Sequence, residues 1–299
     1  MNTFVVRPVR RAFTLVELLV VCGVIGTLVA LMLPTIQTAR ESARRTQCQS
    51  QLRQWGLALT SHEHIRGRYP VGFSAKSPTG TFVPSVLAFI EQGSIGYDMT
   101  ANWDDAKNRR AVQTRLALMC CPSSPTRFRV DQSLVTFLPS AGDYVSTHGV
   151  NAQYCMLVGW PLYDPPDQNG ILAQTPCRAA EVTDGLSQTL LLVEDAGRPE
   201  LWKMGRRIDG WANNPAWADP YYEVALDGSD RLPTGGGQGA GACVMNCTND
   251  NEAYSFHTGG CNLLFADCGV RFVSDRISNR VFAAITTRAS GDFVAGDAY

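Results

Sequence analysis

The sequence predicts an α+β fold in which one long N-terminal helix, apolar and then amphipathic, packs on a loop-rich, mainly antiparallel β domain. The helix is predicted by an apolar run over 13–33 that continues into an amphipathic pattern. The β domain is predicted by short apolar runs between turn-forming residues, since the chain contains 27 Gly and 16 Pro. The expected organisation is a basic N-terminal segment over 1–12, the helix over 13–66 and a globular domain over 67–299.

The apolar run is long enough to cross a membrane. Between Phe13 and Leu33 the only charged residue is Glu17. At about 1.5 Å rise per residue this run forms a helix of about 30 Å, which matches a bilayer core. It is longer than the apolar region of a cleaved secretory signal, which has about 7–15 residues. The sequence therefore predicts a single membrane-spanning segment over about 13–36.

Glu17 lies where a charge is costly. An ionised carboxylate in hydrocarbon costs about 2.5–3.5 kcal/mol, so such a residue usually has a functional partner. Three arginines precede the run, as expected of a cytoplasmic flank: Arg7, Arg10 and Arg11. Arg40, Arg44 and Arg45 follow its other end, so positive charge alone does not fix the orientation. A plain membrane anchor with an incidental glutamate is the alternative explanation.

The segment AFTLVELLVV resembles the processing signal of type IV pilins and type II secretion pseudopilins. That signal is a small residue, then Phe-Thr-Leu-x-Glu, then an apolar run. The resemblance implies cleavage between Ala12 and Phe13 by a prepilin peptidase and methylation of the new amine at Phe13. Residues 1–12 are then a prepilin leader, and 67–299 form an exported domain. It also implies that Glu17 pairs with that amine during assembly and that Pro34 kinks the helix. The family usually has Gly before the cut, where this chain has Ala12.

The function expected from this resemblance is non-enzymatic: a pilin- or pseudopilin-like subunit of a type II secretion or type IV pilus-like system. The expected partners are prepilin peptidase, other pilin or pseudopilin subunits and inner-membrane lipid, with the C-terminal domain periplasmic or otherwise extracytoplasmic. A net charge of −1 gives no indication of nucleic-acid binding. The chain has no nucleophile elbow, zincin motif or Walker loop, so neither an enzyme nor a cofactor is expected.

After Pro34 the helix becomes amphipathic. Cys48, Leu52, Trp55 and Leu59 recur at steps of four and three residues. This stripe predicts that the end of the helix packs on the globular domain.

Five ordered motifs extend the resemblance over nearly the whole chain. They are similar to those of a planctomycete family of prepilin-type proteins, whose domain of unknown function is sometimes described as solute-binding-like. In this chain they read CQSQLRQWGLAL, GRYP, CCPSSP, DGLSQTLLLVED and FHTGGCNLLFADCGVRFV.

The last motif predicts a hairpin. His257 and Asp267 keep the family's interval of nine residues, but Cys268 stands where the family has Gly, and Gly269 follows. We expect strands over 262–266 and 270–274, joined by an altered turn with Gly269 in the left-handed conformation. His257 is then a structural residue that bonds a backbone carbonyl or Asp267.

The cysteines are expected to form disulfides in an exported domain, with their connectivity open. The candidates near the hairpin are Cys243, Cys247, Cys261 and Cys268. A zinc site is the less favoured alternative and would use Cys243, Cys247, His257 and Cys261. No metal is therefore expected.

A second function remains open: a membrane-tethered extracytoplasmic module that binds a solute or glycan. Its site would be built from exposed aromatic side chains, for which the candidates are Trp160, Trp202, Trp211 and Trp217. A concave, aromatic-lined pocket would favour this function, and a closed domain would favour the structural one.

Overall fold

The computed structural model describes residues 14–126, 128–134, 136–157, 168–230, 241–291 and 294. The predicted cleavage site at Ala12 and Phe13 lies outside the described residues. The chain divides into two compact units, Met1–Ala43 and Arg44–Tyr299. The fold is α+β with a long N-terminal helix and mainly antiparallel sheets, as predicted.

Helix α1 runs from Leu15 to Arg66 and includes Pro34. Residues 14–40 are all exposed, and large apolar side chains recur among them from Leu15 to Ile36. Within the described part of the chain, α1 is the one helix long and apolar enough to cross a membrane, by length and composition. Single-pass anchoring is consistent with this helix.

A capping box closes the N-terminus of α1. The backbone N–H of Glu17 donates to Thr14 Oγ1 at 3.3 Å, and the backbone N–H of Thr14 donates to Glu17 Oε2 at 2.9 Å. These reciprocal bonds satisfy backbone donors that a helix start otherwise leaves without partners. Glu17 therefore stabilises the start of its own helix, a role that the sequence Thr-Leu-Val-Glu already encodes.

The remaining elements belong to the second unit. Its other helices are α2 (Val83–Val86), α3 (Arg109–Val112), α4 (Ala152–Leu157) and α5 (Asn279–Thr286). Short 3₁₀ turns cover Leu87–Ile90, Gly93–Ile95, Ala117–Met119 and Ala179–Glu181. The strands are β1 (Phe73–Ser74), β2 (Gly80–Thr81), β3 (Tyr144–Val150), β4 (Leu190–Glu194), β5 (Glu200–Lys203), β6 (Arg206–Trp211), β7 (Glu223–Leu226), β8 (Gly260–Phe265) and β9 (Val270–Ser274).

A five-stranded sheet in the order β7-β3-β4-β8-β9 forms the centre of the second unit. The pair β3 and β7 is parallel, whereas the other neighbouring pairs are antiparallel. Every residue of β4 and β8 is buried. Burial on both faces explains why these two strands are almost continuously apolar in sequence rather than alternating. Two antiparallel ribbons, β1-β2 and β5-β6, complete the strands.

The end of α1 packs in the core of the second unit, as the apolar stripe predicted. Cys48, Leu52, Trp55 and Leu59 are all fully buried. Gly56 allows a close approach of α1 to β8, because a Cβ at this position would lie 2.9 Å from Leu264 Cδ1.

The predicted hairpin is present as β8 and β9, but the predicted position of the left-handed residue in its turn is wrong. Cys268, not Gly269, has the left-handed conformation, with φ +63°. The N–H of Cys268 donates to Phe265 O at 3.0 Å and the N–H of Phe265 donates to Gly269 O at 2.9 Å. The loop is therefore 266–268, with the left-handed residue in third place. A Gly at position 268 would adopt this conformation without a Cβ penalty, which matches the Asp-Gly of the family motif.

Candidate functional site

Four potential metal ligands are brought together in the core where α1 meets the central sheet. They are Cys48, Cys121, Glu194 and His257, and their ligand atoms all lie within 4.8 Å of one another. His257 Nε2 lies 3.1 Å from Cys48 Sγ and 3.6 Å from Cys121 Sγ, and the two sulfur atoms are 3.1 Å apart. We refer to these four residues as the Cys-His-Glu cluster. Every member is buried or nearly so.

Helix α1 positions Cys48 beside Cys121. Gln51 Nε2 donates to Ala117 O at 3.1 Å and Trp55 Nε1 donates to Leu118 O at 2.9 Å, which fastens α1 to the 3₁₀ turn before Cys121. Cys48 lies one helical turn before Gln51 and two before Trp55, on the same side of α1, and so faces the end of the same 3₁₀ turn.

Cys121 is held from the opposite side by a buried carboxylate. Its backbone N–H donates to Asp143 Oδ2 at 2.8 Å, while Asp143 Oδ1 accepts from Gly197 N at 3.0 Å and pairs with the Arg129 guanidinium. Asp143 therefore links the cysteine segment to the segment that follows β4.

Glu194 is the last residue of β4, and its two carboxylate oxygens have different surroundings. Oε2 accepts hydrogen bonds from the backbone N–H of Asn262 at 2.8 Å and from Asn262 Nδ2 at 3.3 Å. Oε1 lies 3.5 Å from His257 Nε2 and accepts no hydrogen bond of normal geometry from the described residues. One oxygen is thus fixed by β8 and the other is directed at the cluster.

His257 comes from the segment just before β8. Its backbone N–H donates to Ser255 Oγ at 3.2 Å, and only 1% of its side chain is exposed. Burial alone lowers the pKa of His257, but the neighbouring Cys121 thiol and Glu194 carboxylate outweigh it and raise the pKa to about 11. Without another cation nearby, the imidazole therefore carries the positive charge that faces Glu194.

The two thiols are kept protonated by their surroundings. The hydrogen bond with Cys48 and burial raise the pKa of Cys121 well above its usual range. The hydrogen bond with Cys121 lowers the pKa of Cys48, but burial and the negative charge of Glu194 outweigh it, so that pKa is also raised. These thiols are poor nucleophiles at neutral pH, because the thiolate is the reactive form.

One family model matches most of the chain. Residues 37–280 match the family model SBP_bac_10, described as "Protein of unknown function (DUF1559)". The chain belongs to the DUF1559 family. The matched DUF1559 region includes the whole Cys-His-Glu cluster and begins after the exposed apolar part of α1. Neither a curated protein nor a solved structure matches the chain.

The cysteines that the sequence placed near the hairpin have separate surroundings in this DUF1559 protein. Cys243 and Cys247 form a disulfide. Cys261 Sγ donates to Asn246 Oδ1 at 3.4 Å. Cys268, in the hairpin turn, has its Sγ 3.2 Å from Thr60 Oγ1 of α1. The alternative zinc set of Cys243, Cys247, His257 and Cys261 therefore does not describe the structure.

The other residues of the hairpin motif have local roles. Asp267 Oδ1 accepts from the backbone N–H of Gly269 at 2.8 Å, and Asp267 Oδ2 lies 3.5 Å from Arg271 Nη2. Asp267 lies at the turn, beyond the end of β8, whereas His257 precedes the start of that strand. The expected bond between His257 and Asp267 is therefore wrong.

Sequence reasoning missed the partners of His257 because it considered cysteines close in sequence, whereas Cys48 lies 209 residues away. A signal was nevertheless present. Glu194 ends an otherwise apolar strand, and a carboxylate at a buried position requires a polar partner.

Trp211 lies beside a concave surface of this DUF1559 protein. It ends β6, is 59% exposed and lines a cavity of about 280 Å³. Polar side chains share the lining, including Gln132, Asn213 and Asn214.

The other tryptophans proposed from the sequence do not contribute to this surface. Trp217 is fully buried, and its Nε1 donates to Thr114 O at 3.1 Å. Trp202 is half-buried against Phe256. Trp160 lies outside the described residues.

A larger cavity, of about 410 Å³, opens near the end of α1. Basic and aromatic side chains share its lining, among them His62, Arg66, Arg68 and Tyr97. Burial lowers the pKa of His62, so this imidazole is neutral at neutral pH.

Proposed function

We propose that the protein is a membrane-anchored, pilin- or pseudopilin-like subunit that assembles through α1 and catalyses no reaction. The observation that supports this most is the double character of α1. Residues 14–40 are exposed although many are apolar, whereas the stripe from Cys48 to Leu59 is buried in the domain. An exposed apolar surface of this extent is unfavourable in water, so it requires lipid or other subunits.

Processing would create the charge that Glu17 needs as a partner. Cleavage between Ala12 and Phe13 by a prepilin peptidase leaves an α-amine with a pKa near 8, which is cationic at neutral pH. In the assembled state that amine, once methylated, pairs with Glu17 of a neighbouring subunit. A charge in low-dielectric surroundings is tolerated when it has such a partner. The anchor then lies in the inner membrane, and the domain is extracytoplasmic.

Intact-mass and N-terminal analysis of the protein from native membranes tests the processing step. We expect a chain that starts at methylated Phe13. An intact start at Met1 would show that Ala12 is not cleaved, and the protein would then be a static anchored domain rather than an assembling subunit.

Substitutions at Glu17 test the assembly step. We expect both Glu17→Gln and Glu17→Ala to insert in the membrane but to lower incorporation into oligomers more than tenfold, since breaking a buried charge pair costs about 3–5 kcal/mol. Cross-linking in native membranes, followed by quantification of the oligomers, measures this.

Glu17→Gln removes the negative charge but keeps the helix cap, because Gln can replace Glu in a capping box. It therefore tests the charge alone. Thr14→Val is the matched control, since it removes the hydroxyl of the cap and keeps the charge of Glu17. If Glu17→Gln assembles like the wild type while Thr14→Val does not, Glu17 serves only as a cap.

The Trp211 cavity favours a second candidate function, a tethered module that binds a glycan. An exposed indole can stack on the apolar face of a sugar, while the neighbouring amide side chains can bond its hydroxyl groups. The name of the family model, SBP_bac_10, also suggests a binding module. Titration of the full-length protein with a panel of oligosaccharides, followed by tryptophan fluorescence, tests this. We expect one of them to bind and Trp211→Ala to abolish the signal; no binding by the wild type would reject this candidate.

A further inference from the structure

We propose that the Cys-His-Glu cluster binds one Zn²⁺ ion through Cys48 Sγ, Cys121 Sγ, His257 Nε2 and Glu194 Oε1. This inference does not depend on assembly or on processing. It concerns residues of the second unit alone.

The size of the cluster fits a tetrahedral zinc ion. With Zn–S near 2.3 Å and Zn–N or Zn–O near 2.0–2.2 Å, the ligand atoms of a tetrahedral site are separated by about 3.4–3.8 Å. Three of the separations here involve His257 Nε2: 3.1 Å to Cys48, 3.6 Å to Cys121 and 3.5 Å to Glu194. The two pairs at 3.1 Å, between the sulfur atoms and between Cys48 Sγ and His257 Nε2, need to separate by less than about 1 Å. The other ligand atoms lie within 4.8 Å of one another, so the longest pairs need to close by about 1 Å.

Glu194 supplies an independent indication of a ligand. Its Oε1 is fully buried, lies beside the imidazole and accepts no hydrogen bond of normal geometry from the described residues. A buried carboxylate oxygen without such a bond is costly in a protein interior. Asn262 holds the other oxygen with two hydrogen bonds, which is how neighbouring residues usually orient a metal-binding carboxylate.

The donor set also matches zinc by its chemistry. Thiolate and imidazole are the usual zinc ligands, and carboxylate is a further one. Binding releases the thiol protons of Cys48 and Cys121 and the extra proton of His257 to solvent, without any change of oxidation state.

The site is closed, so the ion is structural rather than catalytic. All four positions of a tetrahedral ion are taken by protein ligands from four separate segments: α1, the residues after the 3₁₀ turn, the end of β4 and the segment before β8. A catalytic zinc keeps one position open for water or substrate. The ion therefore fixes the end of the membrane-anchoring helix to the central sheet.

A disulfide between Cys48 and Cys121 is the competing state, since exported domains are often oxidised. The sulfur atoms would have to approach from 3.1 Å to about 2.05 Å. A disulfide would use two of the four residues and leave Glu194 Oε1 as it is. The grouping of all four ligand atoms within 4.8 Å of one another favours zinc binding over the disulfide.

Metal analysis of the full-length protein, purified in detergent from native membranes, tests the proposal. We expect about one zinc per chain. Replacement by Co²⁺ should produce the intense visible and near-ultraviolet bands of tetrahedral thiolate coordination. Peptide mapping after alkylation without reductant should show no link between Cys48 and Cys121.

Variants assign the site. Cys48→Ser and His257→Asn should each weaken zinc affinity about 100-fold or more, because loss of a direct ligand exceeds the 10–100-fold loss typical of outer residues. Cys155→Ser is the matched control: Cys155 is equally buried but lies on α4, outside the cluster, and should bind zinc like the wild type. The wild-type measurements remain decisive if a variant fails to fold. Wild-type protein without zinc that takes up neither Zn²⁺ nor Co²⁺ after reduction, or that contains a Cys48–Cys121 disulfide in native membranes, would overturn the proposal.

Discussion

Arg129→Met is expected to destabilise the domain by about 3–5 kcal/mol, because it leaves a buried carboxylate without its counter-charge. The side chains of Arg129 and Asp143 are 4% and 0% exposed, and the two are paired directly. Arg129 also donates to Thr126 O and to Arg198 O, at 2.6 Å each. The substitution therefore removes a cation and leaves two backbone carbonyls without this donor. Urea unfolding of the full-length protein in detergent, followed by circular dichroism, measures the change.

Arg207→Met is the matched control for that experiment. Arg207 pairs with Glu200 at 3.9 Å, but its side chain is 61% exposed. Exposed pairs contribute about 0–1 kcal/mol, so this variant should unfold almost like the wild type. Equal losses of stability in the two variants would show that the Arg129–Asp143 pair is not a special feature of the core.

Trp55→Ala is expected to lower the free energy of unfolding by about 3–5 kcal/mol relative to the wild type, because it creates a cavity where α1 packs on the domain. Trp55 is fully buried, packs edge-to-face on Phe82 at 5.9 Å and donates to Leu118 O. The loss of that hydrogen bond also loosens the 3₁₀ turn that precedes Cys121. Thermal or urea unfolding followed by circular dichroism measures the change without relying on indole fluorescence.

Leu57→Ala is the control on the same helix. Leu57 lies two residues away and is 58% exposed. Exposed substitutions of this kind usually change stability by less than about 0.5 kcal/mol, and Ala is a strong helix former. If Leu57→Ala lowered the free energy of unfolding as much as Trp55→Ala, the effect would come from a change in the helix rather than from the lost packing of Trp55.

The parts of the fold that the sequence predicted are those encoded by neighbouring residues. The apolar run, the buried stripe and the hairpin each repeat a short pattern, so each follows from local periodicity. The turn of the hairpin was placed one residue late, because Gly was expected to take the left-handed conformation that Cys268 adopts.

The Cys-His-Glu cluster was not predicted, because its members meet only after the chain has folded. Cys48 was recognised as a core residue of the stripe and His257 as a structural residue of the hairpin. Their contact joins segments 209 residues apart, and no spacing rule applies over that distance. Counting nearby cysteines instead led to Cys243, Cys247 and Cys261, of which the first two bond to each other.

Under the proposed anchoring, the continuity of α1 limits how the domain could be released from a membrane. Among the described residues, helix continues without a linker from Leu15 to Arg66, and its stripe of Cys48, Leu52, Trp55 and Leu59 belongs to the core. A protease that cut after Arg66 would remove those residues and unfold what it released. A cut N-terminal to Arg44 would have to open an ordered helix, which proteases attack poorly because cleavage requires local unfolding. We therefore expect shedding of an intact, soluble domain to be rare, and soluble fragments for study to require a start near residue 44.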